Sequence, residues 1–505
     1  MDSKDFLKLQ NGSDIRGIAI EGIDGEHVNL TSEAVNKIAQ SFALWLSKKT
    51  GKDISALRIG IGRDSRITGE NLAYASAAGL SYCGVHVIDC GLSTTPAMFM
   101  SIVFEETNFD GSIMITASHL PFNRNGLKFF DKDGGLEHED IRDILENSCN
   151  FKEKSQPTNA ERFDLISLYA GFLSNKIKKE LDSLSQQEND GKKEKPLSGL
   201  KILVDAGNGA GGFFVSKILD ELGADTTGSQ FLEPDGTFPN HIPNPENNEA
   251  MESIQSAVLK NKANLGLIFD TDVDRMSAVL PDGSEVNRDA IIALVAAILA
   301  PDYPNSTIIT DSVTSDRLTR FLEKDLGLKH HCFKRGYKNV INECKRLNAE
   351  GIVSPLAMET SGHGALKENY YLDDGAYLAV KIIIALAKTR AQGKALSSLI
   401  EKLEPLLEAE EVRYKITAED FASYGDKVLA EFKARAEKAG LVMSKSYEGV
   451  RISFDDSDKK GWLLLRKSLH DPVLPLNIEG ERAGSAKKIL QVAQELLAGF
   501  DKLAK

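Results

Sequence analysis

Ile113-Met-Ile-Thr-Ala-Ser-His-Leu-Pro121, with Asn125-Gly-Leu-Lys128 a few residues on, is the stretch on which the reading of this chain turns. The apolar run Ile113 to Ile115 has the length and β-branched character of a short buried strand. Thr116-Ala117-Ser118-His119 is small and polar, and Pro121 prevents a clean continuation of the strand. Ser118 is therefore expected at the tip of a strand, on a tight loop. A serine hydroxyl is a poor nucleophile unless it is activated, but it can carry a phosphoryl group if neighbouring charges receive one. Taken alone, the same residues would also serve as a capped turn.

The surrounding pattern repeats. Leu57-Arg-Ile-Gly-Ile-Gly-Arg-Asp-Ser-Arg66 reads as a strand entering a polar loop, followed by a helix from Gly69 to Leu80 and a strand from Val85 that ends at Gly91-Leu-Ser-Thr-Thr-Pro96. Upstream, Leu30 to Leu46 is an amphipathic helix with Thr31 or Ser32 as its cap. Leu200 and Thr307 open comparable strand–loop–helix rounds. Such alternation builds parallel or mixed sheets, and open sheets of this kind place their chemistry at the carboxyl ends of strands. From about residue 404 the pattern changes to a helix over 420–439, strands at 449–454 and 461–465 joined by a hairpin loop, and a terminal helix capped by Ser485. The expected fold is three similar α/β domains with mixed sheets plus a C-terminal α+β domain. The boundaries are 1–165, 166–288, 289–403 and 404–505, and the polar run 186–196 is an exposed linker or insertion.

Three further stretches carry chemistry. Asp270-Thr-Asp-Val-Asp-Arg275 follows the apolar run Ala263 to Phe269. In an extended loop, its alternating carboxylates Asp270, Asp272 and Asp274 would point the same way. Three hard oxygen donors suit Mg²⁺. A calcium loop is excluded, because its sixth position would be Arg275 and its twelfth Pro281. Glu359-Thr-Ser-Gly-His363 offers acceptors and a hydroxyl to neighbouring sugar hydroxyls. Arg466 and Ser468, just after a strand, can fork around a phosphate. Gly207, Gly209 and Gly212 match the spacing of a dinucleotide-binding turn. The acidic residue at the right distance, Glu233, lies in a turn-rich run rather than at a strand end, so these glycines read as a tight structural turn.

Taken together, Thr116-Ala-Ser-His-Leu-Pro121 with Asn125-Gly-Leu-Lys128, Asp270-Thr-Asp-Val-Asp-Arg275, Glu359-Thr-Ser-Gly-His363 and Arg466-Lys-Ser-Leu-His-Asp-Pro472 resemble four loops of the α-D-phosphohexomutases. They correspond to that family's phosphoserine, metal, sugar-recognition and phosphate-binding loops, in the same order. The chain differs from the usual pattern at Leu120, Met358, Leu469 and His470.

The resemblance implies an intramolecular phosphotransferase that moves phosphate between O1 and O6 of a hexose phosphate, glucose or mannose. The path runs through a phosphoserine at Ser118 and a bisphosphorylated sugar. Asp270, Asp272, Asp274 and Ser118 would hold Mg²⁺. Arg16, in the Asp-x-Arg-Gly element Asp14 to Gly17, would reach the active site, where a guanidinium suits developing phosphoryl charge. Arg16, His119, Lys128 and His363 are the candidates for proton transfer. Arg275, Lys334, Glu359, Ser361, Arg466, Ser468 and His470 are the candidates for substrate binding. A glucose-1,6-bisphosphate-type activator is implied as well. A phosphoglucosamine mutase, a metal-dependent phosphatase and a non-catalytic sugar-phosphate-binding homologue are the alternatives.

Composition narrows the setting. The 505 residues are too many for one core. A net charge of −13, from 61 basic and 74 acidic residues, argues against a general nucleic-acid binder. Five cysteines without Cys-x-x-Cys spacing favour a reducing compartment. The N-terminal residues lack an apolar signal segment, and the longest apolar run, 290–300, is about half of a membrane span. The expectation is a cytoplasmic monomer or homodimer without membrane or nucleic-acid partners, or an organellar protein if a targeting peptide has been removed.

Overall fold

A computed structural model describes residues 1–154, 160–185, 195–468 and 471–504. Apart from residues 195 and 196, the expected linker lies outside the described residues. The chain divides into two compact units, Met1–Asn287 with Ser361–Leu399, and Arg288–Thr360 with Ile400–Lys505.

In the first unit, Arg58–Arg63 pairs in parallel with His86–Leu92 on one side and Gly111–Ile115 on the other. Arg124–Asp131 then adds antiparallel to Gly111–Ile115, and Asp14–Ile18 antiparallel to Arg124–Asp131. The order places the carboxyl ends of Arg58–Arg63 and Gly111–Ile115 side by side, where the sheet's strand order reverses. The Ser118 loop leaves from that point. The apolar faces of the sheet and of the helix Ser32–Thr50, which Thr31 caps, share one core with Phe42, Ile59, Ile113 and Phe129. The second sheet of this unit pairs Leu265–Phe269 in parallel with Ile202–Asp205 and antiparallel with Met276–Val279. Gly364–Leu366 and Leu372–Asp373 form a short hairpin before the helix Gly375–Ala391, capped by Asp374.

The three glycines of the dinucleotide-like turn have packing roles. Gly207 takes a positive φ of 51°. A Cβ on Gly209 would lie 2.6 Å from the Thr271 carbonyl oxygen, and one on Gly212 would collide with that of Leu232. The smallness of Gly209 lets the turn press against the loop that carries the aspartates.

In the second unit, Thr307–Thr310 pairs in parallel with Lys329–Cys332 and Leu356–Met358. The C-terminal sheet is antiparallel through Val450–Asp455, Lys460–Leu465, Val473–Gly480 and Glu408–Ile416. Helices Phe421–Lys438 and Ser485–Leu496 cover it around Val428, Phe432, Ile452 and Ile489. Trp462 is buried, as expected of a core residue, and the Arg451 guanidinium lies 3.9 Å from its ring centroid.

Four expectations need correction. Thr95–Val103 is a helix, begun by Thr94, whose hydroxyl accepts from the Ala97 amide, and by Pro96 in its first turn. Threonine and proline there start a helix rather than merely end a strand. Glu408–Ile416 and Val473–Gly480 are strands that the sequence pattern conceals. The first buries only Val412, Tyr414 and Ile416 among charged residues, and the second contains Pro475. Ser485 does not cap the last helix. Its hydroxyl accepts from the Lys460 amide, while the Glu408 carboxylate receives the amides of Gly484 and Ala486 at 2.5 and 2.9 Å. Finally, the aspartate loop is a turn, with Val273 at φ 65°, and not an extended segment.

Among the described residues no helix is long and apolar enough to cross a membrane. All five cysteines are free.

Candidate active site

Ser118 sits three residues past the end of the strand Gly111–Ile115, with φ 48°. Such a left-handed backbone is uncommon outside glycine and persists only where the surroundings impose it. It turns the hydroxyl toward the second repeat. Ser118 Oγ donates to Asp270 Oδ2 at 2.8 Å and accepts from Arg275 Nη2 at 3.1 Å. The side chain is almost enclosed, at 8% exposure for the residue.

The turn at Val273 brings Asp270, Asp272 and Asp274 together, with one carboxylate oxygen of each within 4.8 Å of the others. All three are buried. Burial and the neighbouring carboxylates of Asp274 and Asp272 push Asp270 well above the usual carboxylate range. Burial presses on Asp274 too, but Lys128 and His363 hold it well below that range. Lys128 Nζ donates to Asp274 Oδ2 at 3.0 Å, and Arg275 donates to Asp270 through its backbone amide and Nε, each at 3.2 Å. Asp272 Oδ1 is buried without a hydrogen-bond partner among the described residues. A buried carboxylate oxygen in this state calls for a partner such as an ion or a water, and a set of clustered hard oxygens fits a divalent cation. The three aspartates can therefore hold a metal ion beside Ser118.

Arg16 contacts the Ser118 loop. It donates to the Thr116 carbonyl and, at 2.9 Å, to Asp14. The His119 ring lies with Nδ1 2.6 Å from Arg275 Nη2. The Arg275 guanidinium, reinforced by burial, keeps that ring neutral, far below the usual histidine range. His363 behaves oppositely. Burial opposes its charge, but Asp274, with an oxygen 3.5 Å from Nε2, carries the ring up to about 9. Ser361 and His363 share a hydrogen bond of 2.9 Å, and Gly362, at φ 93°, brings its backbone against Met276. So Ser118, Arg16, His119, Lys128, the three aspartates, Arg275, Ser361 and His363 all belong to the first unit.

The second unit carries Glu359, Lys334, Arg466 and Ser468. Glu359 is buried and accepts the Gly336 amide at 2.7 Å. Lys334 is exposed, while the adjacent Arg335 lies 4.0 Å from Asp311. Arg466 is 5% exposed, and its Nε has no partner among the described residues. Ser468 Oγ accepts the Asp471 amide at 3.2 Å. His470 and Leu469 lie outside the described residues.

Sequence reading missed Thr95, Asp311 and Arg335. Thr95 donates its hydroxyl to Asp272 Oδ2 and its amide to the Asp272 carbonyl at 2.9 Å, fixing the central aspartate. The Thr-Thr-Pro start of its helix was the available signal. Asp311 accepts from Thr360 at 3.0 Å, and burial and Glu359 push its carboxyl up to about 7.

Comparison with known proteins fits this geometry. The three segments described as "Phosphoglucomutase/phosphomannomutase, alpha/beta/alpha domain" I, II and III match residues 7–156, 179–283 and 287–406. A phosphoglucomutase from Neisseria gonorrhoeae is 29% identical over 473 residues, covering 93% of this chain and 93% of the relative. A phosphoglucosamine mutase from Lactobacillus helveticus is 30% identical over 408 residues, covering 78% and 82%. The crystal structure of a phosphoglucomutase/phosphomannomutase family protein from Burkholderia thailandensis shares the fold, with a TM-score of 0.77, 24% identity and 98% coverage of both chains. A serine presented to a buried aspartate cluster, on a chain matched along most of its length by three successive segments of one family, leads to one assignment: the chain belongs to the phosphoglucomutase/phosphomannomutase family of α-D-phosphohexomutases and is a mutase, an isomerase working by intramolecular phosphate transfer.

Proposed function

We propose that this mutase interconverts the 1- and 6-phosphates of glucose or mannose, with Ser118 as the phosphate carrier. The observation that carries the reading is the placement of Ser118 Oγ between Asp270 and Arg275, 2.8 and 3.1 Å away. A phosphoryl group on that oxygen would bring roughly −1.5 to −2 charges to a site already equipped with guanidinium, ammonium and clustered carboxylates.

The free hydroxyl of the bound sugar phosphate attacks the phosphorus on Ser118. The new P–O bond to the sugar forms as the bond to Oγ breaks, giving a sugar bisphosphate. After the sugar reverses, the other phosphate returns to Oγ. Lys128 and His363, both resting on Asp274, are assigned the proton transfers: one of them gives its proton to the leaving oxygen and, then neutral, takes up the proton of the attacking hydroxyl. His119, held neutral as an acceptor for Arg275, orients that guanidinium, and Arg16 braces the loop from the Thr116 side. Asp270, Asp272 and Asp274 would hold Mg²⁺, which offsets phosphoryl charge when bound. A glucose-1,6-bisphosphate-type activator would load Ser118. We assign the sugar hydroxyls to Glu359 and Ser361, a further substrate contact to Lys334, and the substrate's existing phosphate to Arg466, Ser468 and His470. The free cysteines support a cytoplasmic setting.

A glucosamine phosphate is the second reading. The buried acidic residues Glu359 and Asp311 favour a cationic amine, and the Lactobacillus relative bears that name. Assaying glucose-1-, mannose-1- and glucosamine-1-phosphate with the bisphosphate activator, while following phosphate migration and release separately, tests these readings. Turnover of glucose or mannose phosphate without free phosphate is expected. Net phosphate release would indicate a phosphatase, and no reaction with any of them would overturn the proposal.

A further inference from the structure

We propose that Arg66 is a positioning residue for the phosphate-carrying serine, acting through the backbone of the Ser118 loop. The inference deepens the proposed function and rests on it. Arg66 is 2% exposed, and its guanidinium is spent on carbonyl oxygens of a single loop. Nη1 donates to Pro121 and Arg124 at 2.8 and 2.9 Å, and Nη2 to Leu120 at 2.6 Å and to Ser118 itself. Within the loop, backbone pairing is sparse, with Leu120 bonded to Ala117 and Arg124 to Pro121. The guanidinium thus does for this loop what a ladder does for a strand. Buried carbonyls need donors, and one planar fork supplies four of them in fixed directions, which a lysine ammonium cannot reproduce.

The fork is itself fixed. Asp64 Oδ1 accepts the Arg66 amide at 2.9 Å, and Asp64 Oδ2 lies 3.4 Å from Nε. The Phe238 ring centroid lies 5.2 Å from the guanidinium carbon. Gly236 allows that approach, because a Cβ there would come within 2.5 Å of the Ser65 carbonyl oxygen. The turn-rich run Glu233 to Pro239, which had no role in the sequence reading, is thereby one wall of the Arg66 site.

The guanidinium meets the Ser118 carbonyl and not its hydroxyl, so it acts through the loop and takes no part in phosphoryl transfer directly. Its effect is to keep Ser118 at φ 48° with Oγ facing Asp270. Without it the loop can relax to an ordinary backbone conformation, and Oγ would leave the aspartates. Small displacements of a reacting atom are costly in rate, on the order of 100-fold for 1 Å.

The test compares full-length wild type, Arg66→Lys and Arg66→Met, each loaded with phosphate from a hexose bisphosphate. Four readouts are taken: kcat, KM, melting temperature and the ³¹P resonance of phosphoserine. The expected result is a fall in kcat on the order of 10- to 100-fold in both variants, with KM within about twofold of wild type. The phosphoserine resonance should move or broaden, and Arg66→Lys, which leaves loop carbonyls without donors, should stay folded but melt below wild type. If Arg66→Lys does not fold, Phe238→Leu removes the ring beside the guanidinium, and a smaller kcat loss with the same altered resonance is expected. Wild-type kcat and an unmoved resonance in Arg66→Lys, or in Phe238→Leu where that variant stands in, overturns the assignment. So does a loss confined to KM. Absence of both mutase activity and phosphate in the wild type would instead overturn the proposed function.

Discussion

Arg275 and Arg466 are both buried arginines, one in each compact unit, and they are treated differently. Arg275 is occupied, donating to Asp270, Ser118 and His119. Among the described residues, Arg466 has an unpartnered Nε and a long 3.4 Å bond to the Lys467 carbonyl. Burial and the nearby Arg335 guanidinium push Arg466 below the usual arginine range. A charge already paired costs little to keep dehydrated, whereas an unpaired one is costly until an anion arrives. The first unit is thus wired internally for chemistry that stays in place. In the proposed function, Arg466 of the second unit would meet its charge with a phosphate that comes and goes with the substrate.

The contrast breaks most directly at Ser118. Ser118→Ala should abolish both the phosphate seen by intact mass and the mutase activity, and retained turnover would show that the carrier lies elsewhere. The next largest effect is on the aspartates. Exhaustive chelation should stop turnover, with Mg²⁺ restoring it, and Asp272→Asn should lose catalysis while circular dichroism stays unchanged. Turnover that survives chelation would remove the metal from the proposal.

In the second unit the sign of the effect sharpens. Arg466→Ala should raise KM on the order of 10- to 100-fold, the equivalent of one charged hydrogen bond of about 1.5–3 kcal/mol. Phosphate on Ser118 should persist in that variant, so a loss of phosphorylation would contradict the separation of roles. Smallest is a stability effect without kinetic consequence. Glu408→Ala deprives the last helix of its remote cap, at about 1 kcal/mol, visible as a lowering of a few degrees in melting temperature with kcat and KM unchanged.

Legibility in the sequence followed the range of the interactions. Apolar runs such as Ile113 to Ile115 and Leu265 to Phe269 declare strands locally, and the loops after them inherit their place. Ser118 and the three aspartates were therefore readable, although the convergence of the carboxylates comes from a turn at Val273 and not from alternation along a strand. Glu408–Ile416 was hidden because an edge-like strand with charged residues has little apolar signal. Arg66 was visible as a residue but not as a clamp. Its partners are carbonyl groups more than fifty positions away, as at Ser118, and every residue possesses a carbonyl. Capping by Glu408 escaped for the same reason, since the amides it receives lie 76 and 78 positions on.

The backbone of Ser118 also limits what evolution can place there. Threonine offers the same hydroxyl and, in solution, the same phosphate ester. At φ 48°, however, its second Cβ substituent crowds the main chain, and β-branched residues are genuine outliers in that region. The identity of the proposed carrier is therefore constrained by stereochemistry one bond removed from its hydroxyl oxygen. A chemically equivalent alcohol is barred by the shape of the chain that presents it.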